Sequence, residues 1–157
     1  MRASPWTARP DKDGDTMGDF CARPIRDSVI LLARILLVVL FLIFGWRKLI
    51  GFTGTVGYFA HIGLPMPTVS VIVAVVMELF VGLAILLGVW TRPLAVLLAL
   101  YTIATAFIGH AYWNLSGMEQ LESMINFYKN VSIVGGLLLL YVTGAGKYSV
   151  DARIGLG

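Results

Sequence analysis

Residues 69–89 read VSVIVAVVMELFVGLAILLGV, and this stretch decides the fold of the chain. It contains one ionisable residue, Glu78, and is otherwise apolar or small. About 20 helical residues cross the ~30 Å hydrocarbon core of a bilayer, whereas a membrane barrel strand needs only about 9–11 residues. The stretch also lacks the period-two alternation of a strand. It therefore predicts a transmembrane helix.

Three further runs of similar length and character lie at residues 29–50, 93–112 and 124–142. Of the 157 residues, 58% are hydrophobic and only 13% are charged, whereas about a quarter are charged in soluble domains. These proportions leave too little polar surface for a water-soluble monomer and too many aliphatic side chains for disorder over most of the length. The single cysteine, Cys21, excludes a disulfide-stapled secreted fold. We predict an all-α integral membrane protein, built as a four-transmembrane-helix bundle.

The connections between the runs predict how the helices follow one another. Residues 88–93 form a tight break with a proline suited to the first turn of the next helix, so helices two and three form an antiparallel hairpin. In the first connection, residues 51–68, the side chains of Phe52, Val56 and Phe59 share one helical face. This spacing predicts a short interfacial helix between helices one and two.

The flanking segments differ in composition from the four runs. Residues 1–27 mix aspartates, arginines and prolines without apolar periodicity, which predicts a disordered cytoplasmic tail and no signal peptide. Within this tail, Met17 is an alternative start. Residues 28–146 are predicted to form the four-helix membrane domain, and residues 147–157 a short cytoplasmic C-terminal tail.

Basic residues set the predicted orientation. They lie mainly in the N-terminal tail, at Arg92 and in the C-terminal tail, while the connection 111–123 holds Glu119 and Glu122 and no Lys or Arg. Both termini of this multi-pass chain are therefore predicted to be cytoplasmic. The formal net charge is +3, but the basic residues are scattered and flank apolar runs. The lipid bilayer, and not nucleic acid, is the predicted partner.

Ionisable residues inside the predicted spans need an explanation, because each costs about 2.5–3.5 kcal/mol at the centre of a membrane helix. Arg34, Glu78 and Lys48 are predicted to form a buried charge network. Arg34 from the cytoplasmic side and Lys129 from the outer side are the two partners expected within reach of Glu78. The alternatives are that the ion pairs only fix helix register, and that Lys48 snorkels to the interface.

A second group of polar residues gathers near the outer ends of helices three and four. His110 and Trp113 continue a polar, partly small stripe of helix three, and Lys129 and Asn130 lie early in helix four. If these stripes converge, they form a polar pocket in the outer half of the bundle. The four residues are therefore candidate ligand-binding residues. An imidazole held only by interfacial hydrogen bonds is the alternative for His110.

Several chemistries find no support in the sequence. The lack of a Cys-x-x-Cys motif excludes a dithiol cycle within the chain. The two histidines, His61 and His110, are both predicted near the outer face, which disfavours a bis-histidine haem. No nucleotide-binding glycine motif is present. We assign no metal site and no catalytic residue.

Several short motifs follow one another along residues 28–151. They are Phe44-Gly45-Trp46-Arg47-Lys48-Leu49; Gly63-Leu64-Pro65-Met66-Pro67; Glu78 followed by Gly82 to Gly88 and Thr91-Arg92; Phe107 to His110 with Trp113; and Phe127-Tyr128-Lys129-Asn130 before Gly135-Gly136. In this order and spacing they resemble the DoxX family of bacterial membrane proteins. The resemblance implies a four-helix protein of the bacterial inner membrane.

The resemblance also implies a redox context without a defined reaction. The family takes its name from a subunit of a thiosulfate:quinone oxidoreductase, some mycobacterial relatives are associated with a superoxide dismutase and a thiosulfate sulfurtransferase, and many members are named oxidoreductases without a demonstrated reaction. We therefore expect a membrane subunit of a redox or oxidative-stress system. It would bind a quinone or similar small molecule in the polar pocket and need a redox partner protein. The alternative is a non-enzymatic scaffold, or a small-solute or lipid-handling protein, whose buried charges are structural.

Overall fold

The computed structural model describes residues 16–155 of the chain, and side chains from residue 25 onward. The described residues form helices and contain no strand. In chain order the elements are α1 (Thr16–Ile50), α2 (Phe52–His61), α3 (Pro67–Val75), a π-helical segment (Val76–Val81), α4 (Gly82–Leu87), α5 (Thr91–Gly109), a 3₁₀ turn (Tyr112–Asn114), α6 (Gly117–Thr143) and α7 (Val150–Arg153). The segments α3, π and α4 follow one another without a break, as one rod.

Four helical stretches are long and apolar enough to cross a membrane. They are Ile25–Ile50, Pro67–Leu87, Thr91–Asn114 and Gly117–Thr143, with mean hydropathies of 2.8, 2.7, 1.9 and 1.4. Their number and order confirm the predicted all-α bundle of four transmembrane helices. The short helix expected between the first two spans is α2.

Two helix boundaries differ from the sequence-based ones. Helix α1 begins at Thr16, inside the segment assigned to the N-terminal tail, while residues 1–15 lie outside the described part of the chain. The tail and the alternative start at Met17 therefore stay predictions. Helix α6 begins at Gly117, ahead of the predicted start at Met124. Its first turns carry Glu119, which a helix N-terminus favours electrostatically although hydropathy does not register it.

The hairpin between the second and third spans forms as predicted. Gly88 ends α4 in the left-handed conformation, with φ 73°, which glycine adopts without steric cost. Pro93 lies in the first turn of α5, where its missing N–H breaks no helical hydrogen bond. The connection is therefore only a few residues long, and the two spans run antiparallel.

The core of the bundle is a cluster of apolar side chains contributed by all four spans. Its buried members are Val38, Phe41, Met77, Val81, Ile85, Ala95, Leu98, Ala99, Leu137 and Leu140. Outside this core, large apolar side chains face outward, among them Leu100, Leu139 and Val142 with exposed fractions of 62%, 69% and 71%. An apolar exterior of this kind suits acyl chains and not water.

Gly45 brings α1 into contact with the π segment. A Cβ atom placed on Gly45 would lie 2.8 Å from the Leu79 nitrogen and 3.0 Å from the Glu78 Cβ. Small residues commonly allow such close backbone approach between membrane helices. The absence of a side chain at Gly45 therefore sets how close α1 comes to Glu78.

Replacing Gly45 with alanine is expected to lower the free energy of unfolding by about 1–3 kcal/mol, because the added methyl group meets backbone atoms that cannot move aside easily. Gly135→Ala is the matched control, since a Cβ at Gly135 meets nothing within 4 Å. That change should leave stability unchanged or raise it by up to about 1 kcal/mol through helix propensity. Unfolding in mixed detergent micelles measures both. Equal stability of the two variants would contradict the close approach.

The two ends of the bundle carry different structures. We call the end with residues 88–90 the turn end, and the end with the connections 51–66 and 110–116 the loop end. Residues 144–155, the C-terminal segment, pack onto the turn end instead of extending away from it. Within this segment Ser149 and Asp151 are buried, with exposed fractions of 7% and 5%. Residues 147–155 of the predicted C-terminal tail are therefore part of the folded bundle.

Candidate functional site

Glu78 is the buried acidic residue at the middle of the second span. It lies in the π-helical segment, and its exposed fraction is 8%. π-helical turns are rare and are found frequently at functional sites. The wider turn and the buried carboxyl group together make this part of the span the first candidate site.

Two side chains from other helices bind the Glu78 carboxylate. The Lys48 Nζ atom donates to Oε2 at 2.6 Å, and the Tyr101 hydroxyl donates to Oε1 at 2.8 Å. Helix α1, the π segment and α5 therefore meet at one carboxylate. We call Lys48, Glu78 and Tyr101 the carboxylate cluster.

The sequence of α1 explains how Lys48 reaches this position. Lys48 follows Gly45 by three residues, so the two share one helical face, and the close approach at Gly45 brings that face over Glu78. The ammonium also lies 5.6 Å from the ring centroid of Phe44, within range of a cation–π interaction. The Lys48 side chain keeps 21% exposure and that of Glu78 keeps 11%. The cluster is thus shielded but not completely buried.

Of the predicted charge network of Arg34, Glu78 and Lys48, the structure contains the Lys48–Glu78 pair. Arg34 and Lys129, the two partners that helical rise placed within reach of Glu78, bind other groups instead. Lys48 was also considered as a residue that snorkels outward, but its ammonium turns inward to the carboxylate. A long lysine side chain at the end of a membrane helix can turn outward to the interface or inward to the bundle. A buried carboxylate without another cation favours the inward orientation.

Arg34 belongs to the turn end. Its exposed fraction is 2%, and its guanidinium donates to the Ala145 carbonyl at 2.7 Å and to the Tyr148 carbonyl at 2.6 Å. Main-chain carbonyls of the C-terminal segment thus take the hydrogen bonds that were expected to go to Glu78.

Asp151 fastens the same segment to the hairpin. Its carboxylate accepts from the backbone N–H of Trp90 at 2.7 Å and of Thr91 at 2.9 Å, and its own N–H donates to the Gly88 carbonyl at 2.8 Å. These N–H groups begin α5 and have no partner within that helix, so the carboxylate acts as a cap from outside the helix. Arg34 and Asp151 together form what we call the turn-end clamp.

The four candidate ligand-binding residues lie elsewhere. His110 and Asn130 are half-buried, while Lys129 is exposed and Trp113 has an exposed fraction of 51%. The Lys129 Nζ atom donates to the Asn126 side-chain oxygen at 2.7 Å on its own helix. Within the described residues, no hydrogen bond joins these four side chains to the carboxylate cluster. Their role in ligand binding stays a prediction.

These residues border an aromatic cluster at the loop end. Five rings, with neighbouring centroids 5.2 to 6.2 Å apart and several pairs edge to face, connect the end of α5 to α6. They belong to Phe107, Tyr112, Trp113, Phe127 and Tyr128. Edge-to-face ring pairs add stability beyond simple burial. Trp113 therefore has a packing role whether or not it contacts a ligand.

The sequence reasoning missed Tyr101 and Asp151. Thr102, the neighbour of Tyr101, is buried, but its hydroxyl donates to the Leu98 carbonyl of its own helix. A tyrosine in the middle of a span, away from the interface, was the available signal, because its hydroxyl needs a partner there. Asp151 gave no comparable signal, since its partners lie 60 and 61 residues away.

Within residues 16–155, no group of three or more His, Cys, Asp or Glu side chains could hold a metal ion. The carboxylate cluster combines one carboxylate with a cation and a phenol. Chemically it can accept or hold a proton and donate hydrogen bonds to an oxygen atom.

Comparisons with known proteins agree with these features. A family model described as DoxX matches residues 29–111. The inner membrane protein YphA of Escherichia coli (strain K12) is 52% identical over 132 residues, covering 84% of this chain and 92% of YphA. The inner membrane protein YqjF of the same strain is 39% identical over 129 residues, covering 82% and 94%.

A more partial similarity links the chain to a protein of Bacillus subtilis (strain 168) named "Putative oxidoreductase CatD". It is 38% identical over 73 residues, covering 46% of this chain and 53% of that protein. No solved structure matches the chain significantly. The family model spans more than half of the chain and two relatives align along most of it, so this four-span membrane protein belongs to the DoxX family.

Proposed function

We propose that this protein is a membrane subunit of a redox system in the bacterial inner membrane, and that it binds a quinone or a similar small molecule at the carboxylate cluster. The observation that carries the proposal is the convergence of Lys48 and Tyr101 on the buried Glu78 in a π-helical segment. Ionisable groups inside membrane spans commonly mark ligand and proton pathways. The partial similarity to CatD, named an oxidoreductase, supports the redox setting.

The residues of the cluster fit a quinone head group. Its two carbonyl oxygens accept hydrogen bonds, and an ammonium has three donor hydrogens, of which Lys48 uses one on Glu78. The side chain of Lys48 is 21% exposed, so a carbonyl oxygen can approach without breaking the ion pair. Glu78 and Tyr101 would hold a proton next to that oxygen.

The chemistry that a quinone supplies when bound is the transfer of two electrons with two protons. The residues of this chain would bind and orient the head group and exclude water from it. Cys21 is the single cysteine of the chain, so the electrons would be exchanged with a partner protein.

A binding experiment with two matched lysine variants tests the site. We expect a short-chain ubiquinone analogue to quench the tryptophan fluorescence of the purified protein. Lys48→Gln should weaken its binding at least tenfold, about 1.4 kcal/mol, because a charged donor to the carbonyl is lost. Lys129→Gln, which changes an exposed lysine, should leave the affinity unchanged.

The opposite pattern would place the head group near His110, Asn130 and Lys129, as the sequence first suggested. Absence of binding to the unmodified protein, and of quinone in solvent extracts of the preparation, would contradict the redox proposal itself.

One observation favours the second candidate, a non-enzymatic scaffold or a small-solute or lipid-handling protein. Both Glu78 oxygens already have partners from neighbouring helices. Buried ion pairs of this kind can serve only to fix which helix faces meet. In this case Lys48→Gln would change the stability of the protein, and quinone analogues would not bind.

We further propose that both termini face the cytoplasm, so that the turn end is cytoplasmic and the loop end is external. The support is the distribution of basic residues, with Arg92 and Lys147 at the turn end. In a Cys21→Ser background, a membrane-impermeant maleimide should label Thr53→Cys in intact spheroplasts and Ile154→Cys only after permeabilisation. Both parent residues are exposed in the structure. Labelling of Ile154→Cys in intact spheroplasts would reverse the orientation.

A further inference from the structure

A polar cavity of about 410 Å³ lies at the turn end, away from the carboxylate cluster. Three separate parts of the chain line it: α1 through Arg26 and Asp27, α5 through Arg92, and the C-terminal segment through Gly144 and Lys147. A cavity of this volume is within the range of small-molecule sites.

The charges around this cavity are mainly positive. Arg26, Arg92 and Lys147 contribute three cations against the single carboxylate of Asp27. The Asp27 Oδ1 atom accepts a hydrogen bond from the Lys147 backbone N–H at 3.3 Å. In the described part of the chain, the two guanidinium groups and the ammonium make no ion pair or hydrogen bond. Unneutralised cations around one cavity attract an anion.

Gly144 lies next to the Arg92 side chain in the lining of the cavity. Gly144 ends α6 with φ 73°, and a Cβ atom there would lie 3.3 Å from Nε and 3.5 Å from Nη2 of Arg92. The backbone therefore packs directly against one edge of the guanidinium. The donor geometry of the planar guanidinium suits the oxygens of a phosphate.

The depth of the cavity along the bundle indicates which kind of anion it can bind. Its lining includes Arg26, beside the start of the first span at Ile25, Arg92, beside the start of the third span at Thr91, and Thr143, the last residue of the fourth. The cavity therefore lies where three spans leave the hydrocarbon layer, at the depth of lipid phosphates. A second cavity of about 260 Å³ shares Arg92 and is lined by Trp90, Thr91, Pro93 and Asp151. Trp90 and Pro93 offer an apolar surface there, and the Asp151 carboxylate already accepts the N–H groups of Trp90 and Thr91.

We propose that the turn-end cavity binds the phosphate group of an anionic ligand, supplied either by the headgroup of an acidic phospholipid or by free phosphate. Arg92 and Lys147 hold the phosphate oxygens, and Arg26 adds charge from the first span. The site is independent of the carboxylate cluster, so the result for phosphate binding does not depend on the result for quinone binding.

Thermal unfolding of the full-length protein in mild detergent tests the site with three probes: phosphatidylglycerol, phosphatidylcholine with the same acyl chains, and inorganic phosphate. A ligand that binds only the folded state raises the unfolding temperature, and the shift grows with the ratio of free ligand to its dissociation constant. We expect phosphatidylglycerol to raise it more than phosphatidylcholine. Arg92→Gln and Lys147→Gln should each lose at least half of that difference, while Arg47→Gln, a change at the loop end, keeps it.

The outcomes separate the two sources. A difference between the two lipids without a phosphate effect assigns a lipid headgroup, and a phosphate effect as large as that of phosphatidylglycerol assigns free phosphate. If Arg92→Gln does not fold, the test uses Lys147→Gln instead. Added salt should also reduce the difference between the two lipids in the unmodified protein. Equal shifts with both lipids and none with phosphate, or full shifts in both variants, would overturn the proposal.

Discussion

Replacing Arg34 with alanine is expected to lower the free energy of unfolding by about 3–5 kcal/mol, because it removes two hydrogen bonds from a charged group, each worth about 1.5–3 kcal/mol. The guanidinium is 2% exposed and holds two carbonyls of the C-terminal segment. Without it, the carbonyls of Ala145 and Tyr148 lose their donors. The negative charge of Asp151 also loses the nearby cation that stabilises it.

Limited proteolysis gives a second readout for the same variant. Trypsin cleaves after lysine and arginine, and Lys147 lies within the C-terminal segment that the turn-end clamp holds down. We expect cleavage after Lys147 to be faster in Arg34→Ala than in the unmodified protein. Arg47→Ala is the control, because that arginine is exposed at the loop end. Unchanged stability together with an unchanged cleavage rate in Arg34→Ala would show that Arg34 contributes nothing to holding the C-terminal segment.

The second large effect is expected at the ion pair of the carboxylate cluster. Lys48→Met leaves Glu78 charged and short of one partner, and Glu78→Gln leaves Lys48 without its anion. Each change should cost about 2–3 kcal/mol, less than at a fully buried pair because the Lys48 side chain is 21% exposed. The double variant should cost less than the sum of the two, by roughly 0.5–3 kcal/mol.

Two further variants serve as references for this double-mutant cycle, measured by unfolding in mixed micelles. Tyr101→Phe removes one hydrogen bond to the same carboxylate and should cost about 1 kcal/mol. Lys129→Met changes an exposed lysine and should stay within about 0.5 kcal/mol of the unmodified protein. Strict additivity of the Lys48 and Glu78 changes would mean that the two side chains do not interact in the folded protein.

The number, order and type of the spans were predictable from hydropathy because each span needs a long apolar run and only a helix satisfies its backbone in lipid. The ends of the spans were less predictable. The beginning of α6 carries Glu119 and Glu122, which a helix accommodates but a hydropathy window excludes. Capping and electrostatics, and not apolar content, decide such boundaries.

The candidate site was predictable in part. Arg34, Glu78 and Lys48 were expected to form a buried charge network, and the structure buries Arg34 and Glu78 and turns Lys48 toward Glu78. The expected pairing of Arg34 with Glu78 is not found. Helical rise per residue predicts the depth of a side chain but does not show which other groups can bind it. The carbonyl of Ala145, which binds Arg34, lies 111 residues further along the chain.

The packing of the C-terminal segment onto the turn end could not be predicted from the sequence. Residues 144–149 show no helical or strand period, and Gly144 and Gly146 both adopt positive φ angles. Segments of this kind are placed by individual hydrogen bonds, here those of Asp151 to Trp90 and Thr91. Such bonds connect distant residues and leave no local pattern.

The position of Arg34 has a consequence for the order in which the protein is made. Arg34 enters the bilayer with the first span, whereas the carbonyls that receive its hydrogen bonds belong to Ala145 and Tyr148. The guanidinium lacks both acceptors until the ribosome has added Ala145 and Tyr148, 111 and 114 residues later. Residues made long after the first span therefore complete the environment of Arg34, and a chain truncated before Ala145 would expose that unfinished state.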